Sequence, residues 1–103
     1  MTSANGTLNV TNKGDIGNNA FYNCNMLTNI TIPQNVRKIG SEAFAGCYSL
    51  ENVTALATTA PTLGENVFVE EGKAVLNYPE NSNYIKWGIY FSNFSTYRNG
   101  GCL

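Results

Sequence analysis

Apolar residues recur along this chain in a pattern that is neither helical nor simply alternating. The run Ile16-Gly17-Asn18-Asn19-Ala20-Phe21-Tyr22-Asn23-Cys24-Asn25-Met26-Leu27-Thr28-Asn29-Ile30 lies over Ile39-Gly40-Ser41-Glu42-Ala43-Phe44-Ala45-Gly46-Cys47-Tyr48-Ser49-Leu50-Glu51-Asn52-Val53 with every pair offset by 23 positions. Ile/Gly, Ala/Phe, Cys, Leu and Asn all return in phase, and Thr31 to Lys38 joins the two copies. Within each copy the spacing predicts distinct elements. Ile30-Thr31-Ile32 alternates apolar and polar residues, as a strand with one buried face does. Pro33 stops that strand because it lacks an N–H, and Ala20 to Cys24 reads as a short helical or 3₁₀ turn. Val36 and Ile39 then resume the buried side.

A period in the twenties is the mark of a repeat in which each unit cannot bury its apolar residues alone and must stack on the next. Stacking at the strand spacing of about 4.8 Å lays Phe on Phe, Cys on Cys and Leu on Leu, so ladders of like side chains make the core. Leu8-Asn9-Val10 repeats the strand pattern with one residue fewer before Ile16, as an incomplete first unit at 8–15. The full units are 16–38 and 39–61. A degenerate unit at 62–78 begins with Leu63-Gly64-Glu65-Asn66-Val67-Phe68, where Gly64 falls 24 positions after Gly40. Val69 to Lys73 reads as a turn and Ala74 to Tyr78 as a last strand before Pro79. From 79 to 103 the chain turns aromatic, with Tyr84, Ile85, Trp87, Ile89, Tyr90, Phe91, Phe94 and Tyr97. Ser82 or Asn83 is placed to cap a short helix over Tyr84 to Trp87 that breaks at Gly88.

These residues resemble the BspA-like class of leucine-rich repeats, whose unit runs roughly I-G-x-x-A-F-x-x-C-x-x-L-x-x-I-x-I-P-x-x-V. The resemblance is close from Leu8 to Phe68 and looser to Tyr97. It implies a leucine-rich-repeat solenoid, mainly β with short 3₁₀ or helical turns, of two to three coils. It also implies a C-terminal aromatic cap over the open end of the core, since such arrays often close with a strand, a Pro, a short helix and a Trp. Proteins of this class are surface or secreted proteins of bacteria and some protists, acting in adhesion to host proteins or in coaggregation. The expected location is therefore the cell surface or the outside of the cell.

Composition narrows the function by exclusion. Six basic and seven acidic residues give a net charge of −1, which is no footprint for nucleic acid or an anionic membrane. The first residues carry no basic and apolar signal segment, and no run approaches the ~20 apolar residues of a membrane span. Histidine is absent, which removes the commonest general base and metal ligand. The carboxylates are scattered, and Glu70-Glu71, as strand neighbours, would point to opposite faces. No zinc spacing and no phosphate-cradling glycine loop occurs. The expectation is a non-enzymatic protein without cofactor or metal.

Three cysteines are too few for a disulfide framework. Cys24 and Cys47 fall in equivalent slots, close enough for a bridge, but read as small apolar core residues with free thiols, the role the resemblance gives this Cys. Cys102 reads as an exposed tail residue. Five Asn-x-Ser/Thr sequons, at Asn5, Asn9, Asn29, Asn52 and Asn93, follow from repetition in an Asn/Thr-rich chain. The candidate binding residues are those that alternate outward: Asn29, Thr31, Asn52 and Thr54, with Thr28 and Glu51 at the rim. They make a polar ladder able to hydrogen-bond a protein or glycan, with Tyr90 or Tyr97 as possible aromatic additions. A competing expectation is homo-oligomerisation by edge stacking, because the strand at Leu8 to Val10 leaves an open edge.

Overall fold

Each repeat adds one strand to the growing edge of a main parallel sheet, and a second, shorter ladder forms beside it. In the computed structural model, residues 7–9, 14–68, 74–91 and 93–98 are described, the first three by their backbone. The strands are β1 (Thr7–Asn9), β2 (Asn29–Ile32), β3 (Lys38–Ile39), β4 (Asn52–Ala55), β5 (Thr62–Leu63), β6 (Val75–Pro79) and β7 (Asn93–Tyr97). The main sheet has five strands in the order β1-β2-β4-β6-β7, and β3 and β5 form a second, two-stranded ladder. All pairings are parallel. The architecture among the described residues is thus mostly β and parallel, with little helix.

The registers show how the repeat is kept. Ile30 pairs with Val53 and Val53 with Leu76, each a step of 23 residues, and all three side chains are buried. The extra residue of the third unit is absorbed locally. Leu56 N–H still reaches Ile32 C=O, whereas Thr62 lies opposite Lys38, so the insertion sits between Leu56 and Thr62. The missing residue near the start is visible in the same way: Leu8 pairs with Ile30, but Ile16 bridges to Ile39.

Opposite the main sheet, Phe21, Phe44 and Phe68 stack. Ring centroids are 5.3 Å apart in both steps, with interplanar angles of 10° and 6°, the offset geometry that aromatic pairs prefer. Leu27, Ile32, Val36, Ile39, Leu50 and Val67 fill the space between. The turn from Gly17 to Cys24 is held by i→i+3 bonds, Ala20 N–H to Gly17 C=O and Cys24 N–H to Phe21 C=O. It makes isolated hydrogen-bonded turns where a short helix or 3₁₀ turn was one expectation. Left-handed backbone recurs in phase, at Asn19, Glu42 and Asn66 (φ 58°, 59° and 54°) and at Asn23 and Gly46 (φ 61° and 80°). At Gly46 a Cβ would lie 2.0 Å from Asn23 Oδ1 and 3.0 Å from Asn23 Cα, so both the turn and the neighbouring repeat require glycine.

The single helical element is a 3₁₀ helix at Ile85–Ile89 among the described residues. It runs through Gly88, where a break was expected, and Asn83 Oδ1 accepts from Ile85 N–H at 3.0 Å. Tyr84, Trp87, Tyr90 and Phe91 are buried, and Phe68 meets the rings of Trp87, Tyr90 and Phe91 at 5.1–5.6 Å. Their polar tips reach backbone atoms of the preceding segment. Tyr84 OH donates to Ala57 C=O at 2.6 Å, Trp87 Nε1 to Pro61 C=O at 3.3 Å and Tyr97 OH to Ala55 C=O, while Tyr90 OH accepts from Val67 N–H at 3.0 Å. β7 then adds a fifth strand inside the stretch read from sequence as terminal segment and tail.

Candidate functional site

The alternation of β2 and β4 turns Ile30, Ile32, Val53 and Ala55 into the core, and so turns their neighbours to the outside. Register places Asn29 opposite Asn52 and Thr31 opposite Thr54. Asn52 is exposed, and Asn29, Thr31 and Thr54 are half-buried within the face. Thr28 is half-buried and Glu51 exposed at the start of their strands. Glu51 and Asn52 N–H both donate to Thr28 C=O, at 2.7 and 3.1 Å, which ties the rim of β4 to that of β2.

The Asn side chains are linked to one another. Asn52 Nδ2 donates to Asn29 Oδ1 at 3.2 Å, and Asn29 Nδ2 to Thr28 Oγ1 at 3.2 Å. Asn77 extends the row from β6: its Nδ2 lies 3.5 Å from Asn52 Oδ1 and 3.4 Å from Thr54 Oγ1. β7 continues the same two rows with Asn93 opposite Val75 and Ser95 opposite Asn77. Sequence reasoning missed Asn77, Asn93 and Ser95 because the repeat phase is lost after Phe68. Pro33 and Pro79 carried the missing signal, since they stand two repeats apart and set Asn77 in phase with Thr31 and Thr54.

The aromatic additions need correction. Tyr90 is buried under the fold, with its hydroxyl bonded to Val67 N–H. Tyr97 is half-buried, with its hydroxyl on Ala55 C=O. Neither forms an exposed platform, because each polar tip is turned inward to a backbone partner. The exposed aromatic rings are Tyr22, Tyr48 and Phe94.

Cys24 and Cys47 are both free thiols. Cys47 is buried, with Sγ 3.3 Å from Phe21 C=O. Burial pushes its thiol up to about 11, and burial also raises Cys24, so both stay protonated and poorly nucleophilic. Cys102, Asn5, Glu70 and Glu71 lie outside the described residues. Among the described residues, no three of His, Cys, Asp and Glu gather closely enough to hold a metal ion.

These features coincide with a known sequence family. The family model for the BspA type leucine rich repeat region, in 6 copies, matches residues 8–98, and the chain belongs to that family. Leucine-rich repeats of this type are protein-interaction modules, generally non-enzymatic scaffolds, and the family is typically extracellular or surface-associated. No curated protein and no solved structure matches the chain. Among the described residues, no helix is long and apolar enough to cross a membrane.

Proposed function

We propose that the chain is a short solenoid of stacked coils, closed at its C-terminal end by the aromatic segment, and that it serves in recognition or adhesion at the cell surface or as a secreted protein. The partner is a protein or glycan, held on the outer face of the main sheet by Asn29, Thr31, Asn52 and Thr54, with Thr28 and Glu51 at the rim and Asn77 extending the row. The observation that carries this reading is the side-chain hydrogen-bonded row Thr28–Asn29–Asn52–Asn77. A polar row already fixed by its neighbours meets a ligand with little further loss of side-chain freedom. The test is binding of the purified chain to immobilised cell-surface glycoproteins and to a glycan array. Replacing Asn52, the exposed member of the row, by Lys should abolish the signal, with circular dichroism confirming that the variant keeps its fold. Binding that survives this substitution would place the partner elsewhere.

A second reading, assembly through the open edge, draws on the position of β1 and β7 at opposite ends of one parallel sheet. Edges of this kind add strands head to tail. Sedimentation across micromolar concentrations separates the readings: a concentration-independent monomer excludes assembly.

A further inference from the structure

The two equivalent cysteines face each other across one boundary between repeats. Cys24 and Cys47 hold the same place in the same turn: Cys24 N–H donates to Phe21 C=O at 3.2 Å, and Cys47 N–H to Phe44 C=O at 3.3 Å. Leu27 and Leu50 N–H return to the carbonyls of Cys24 and Cys47. Asn23 N–H reaches Ala45 C=O at 2.7 Å, which ties the two turns together one residue before Cys24. Slots stacked at the strand spacing of about 4.8 Å fall inside the Cα separation of about 4.4–6.8 Å that disulfides span.

The two side chains are set unequally. Cys47 is buried, and its Sγ leans across the boundary to 3.3 Å from Phe21 C=O, the carbonyl that also receives Cys24 N–H. The Cys47 sulfur thus lies against the Cys24 backbone. Burial pushes its thiol up, the Cys24 amide opposes that rise, and the neighbouring Cys24 sulfur adds to it. Cys24 is half-buried and within reach of solvent. Its Sγ has a single contact, 4.0 Å from Tyr22 C=O, which costs little to break when the side chain turns toward Cys47.

We propose that Cys24 and Cys47, free thiols as folded, are joined by a disulfide when the protein meets a small-molecule disulfide, an oxidant of the extracellular setting. The Cys24 thiolate attacks the oxidant RSSR, forming a Cys24–S–S–R bond and releasing one RS⁻. The Cys47 thiolate then attacks the Cys24 sulfur, closes the bridge and expels the second RS⁻. The two protein thiols lose two electrons and two protons, and RSSR gains them to become two RSH. Burial disfavours both thiolates, so the exchange is slow at neutral pH. The bridge closes a loop of 24 residues, Cys24 to Cys47 inclusive, and staples the repeat that carries β2 to the one that carries β4. It stands or falls independently of what the outer face of the sheet binds.

The test is incubation of the folded, reduced full chain with oxidised glutathione, then alkylation of the remaining thiols and tryptic mapping without reduction. Cleavage after Lys13, Arg37, Lys38 and Lys73 leaves Cys24 in 14–37 and Cys47 in 39–73, and cleavage after Arg98 leaves Cys102 in 99–103. The expected product is 14–37 linked to 39–73. The urea midpoint of the oxidised chain should lie about 1–4 M above that of the reduced chain. Cys24→Ser, at a half-buried position, should fold and gain no stability from the oxidant. A bridge to 99–103 in its place, Cys24 held as its glutathione adduct, or Cys24 and Cys47 both recovered as free thiols would overturn the proposal. So would a link that forms only when the oxidant is added in urea, or an oxidised chain no more stable than the reduced one.

Discussion

Removing the middle ring of the phenylalanine stack is the most searching test of how this fold is held. Phe44 is fully buried, and its ring lies between Phe21 and Phe68 at 5.3 Å on either side. Phe44→Ala withdraws a whole benzyl group from a site where the neighbouring repeats, fixed by the strand ladder, cannot close the gap. Large-to-small changes of this kind cost about 3–5 kcal/mol, and the lost ring pairs place this site toward the upper end. A domain of this size has only about 5–15 kcal/mol in total, so the variant should fold but sit close to its limit. In urea unfolding, with a slope of roughly 1–2 kcal/mol per molar, a loss of about 4–5 kcal/mol should lower the midpoint by about 2–5 M. Fluorescence of Trp87, which touches Phe68, and far-UV circular dichroism should report the same transition. Position in the stack orders the series: Phe21 stacks on Phe44 alone, whereas Phe68 also meets Trp87, Tyr90 and Phe91. Phe68→Ala should therefore cost at least as much as Phe44→Ala, and Phe21→Ala less. A Phe44→Ala loss below about 2 kcal/mol, within the range of ordinary surface and partial changes, or a larger loss at Phe21, would refute the stacked core.

Tyr84→Phe removes the buried hydroxyl that donates to Ala57 C=O, leaving that carbonyl unpaired, and should cost about 1–3 kcal/mol by urea unfolding. Stability should fall in alkali. Burial raises Cys47 to about 11 from its ordinary 9.0, and burial likewise raises Tyr84, with Tyr97 nearby adding to it, and Tyr97. The neutral forms are thus favoured by folding. Their contribution is complete below pH 9 and is lost as pH rises past it, by up to about 1.4 kcal/mol per pH unit for Cys47 between 9 and 11; Cys47→Ala should flatten that part of a pH–melting curve. Glu42→Gly should raise the melting temperature by the equivalent of about 0.5 kcal/mol. Glu42 holds the left-handed conformation that Asn19 and Asn66 hold in the other repeats, although its bond from Asn19 Nδ2 is lost.

Where the chain repeats, its structure could be read directly. The recurrence of Ile30 at Val53 and of Phe21 at Phe44 needs only one physical step, that equivalent residues stack, to become β2 paired with β4 and one ring upon another. Pro33, Val36 and Leu27 fall where the period puts them for the same reason. What could not be read lies where the period breaks. β3 and β5 have two residues each, too short for alternation to show, and exist because Ile16, Ile39 and Leu63 are brought into line by the stacking itself. β7 was hidden in an aromatic stretch whose composition suggested covering material. Its register comes from β6, through pairs as far along as Pro79 with Tyr97. Tyr90 could not be separated from Phe94 by sequence, because only the three-dimensional position of Val67 N–H decides which ring turns inward. The outer positions of Asn29, Thr31, Asn52 and Thr54 were legible; that of Asn77 required matching Pro79 to Pro33 across a unit whose other repeat residues have diverged.

The amide row on the sheet also has a direction. Asn77 donates to Asn52, Asn52 to Asn29, and Asn29 to Thr28, so the donations run in one sense, from β6 through β4 to the start of β2. The row therefore has two unlike ends, the amide of Asn77 and the hydroxyl of Thr28. On the proposed binding face, such a polarity would favour one orientation of a bound chain over the other.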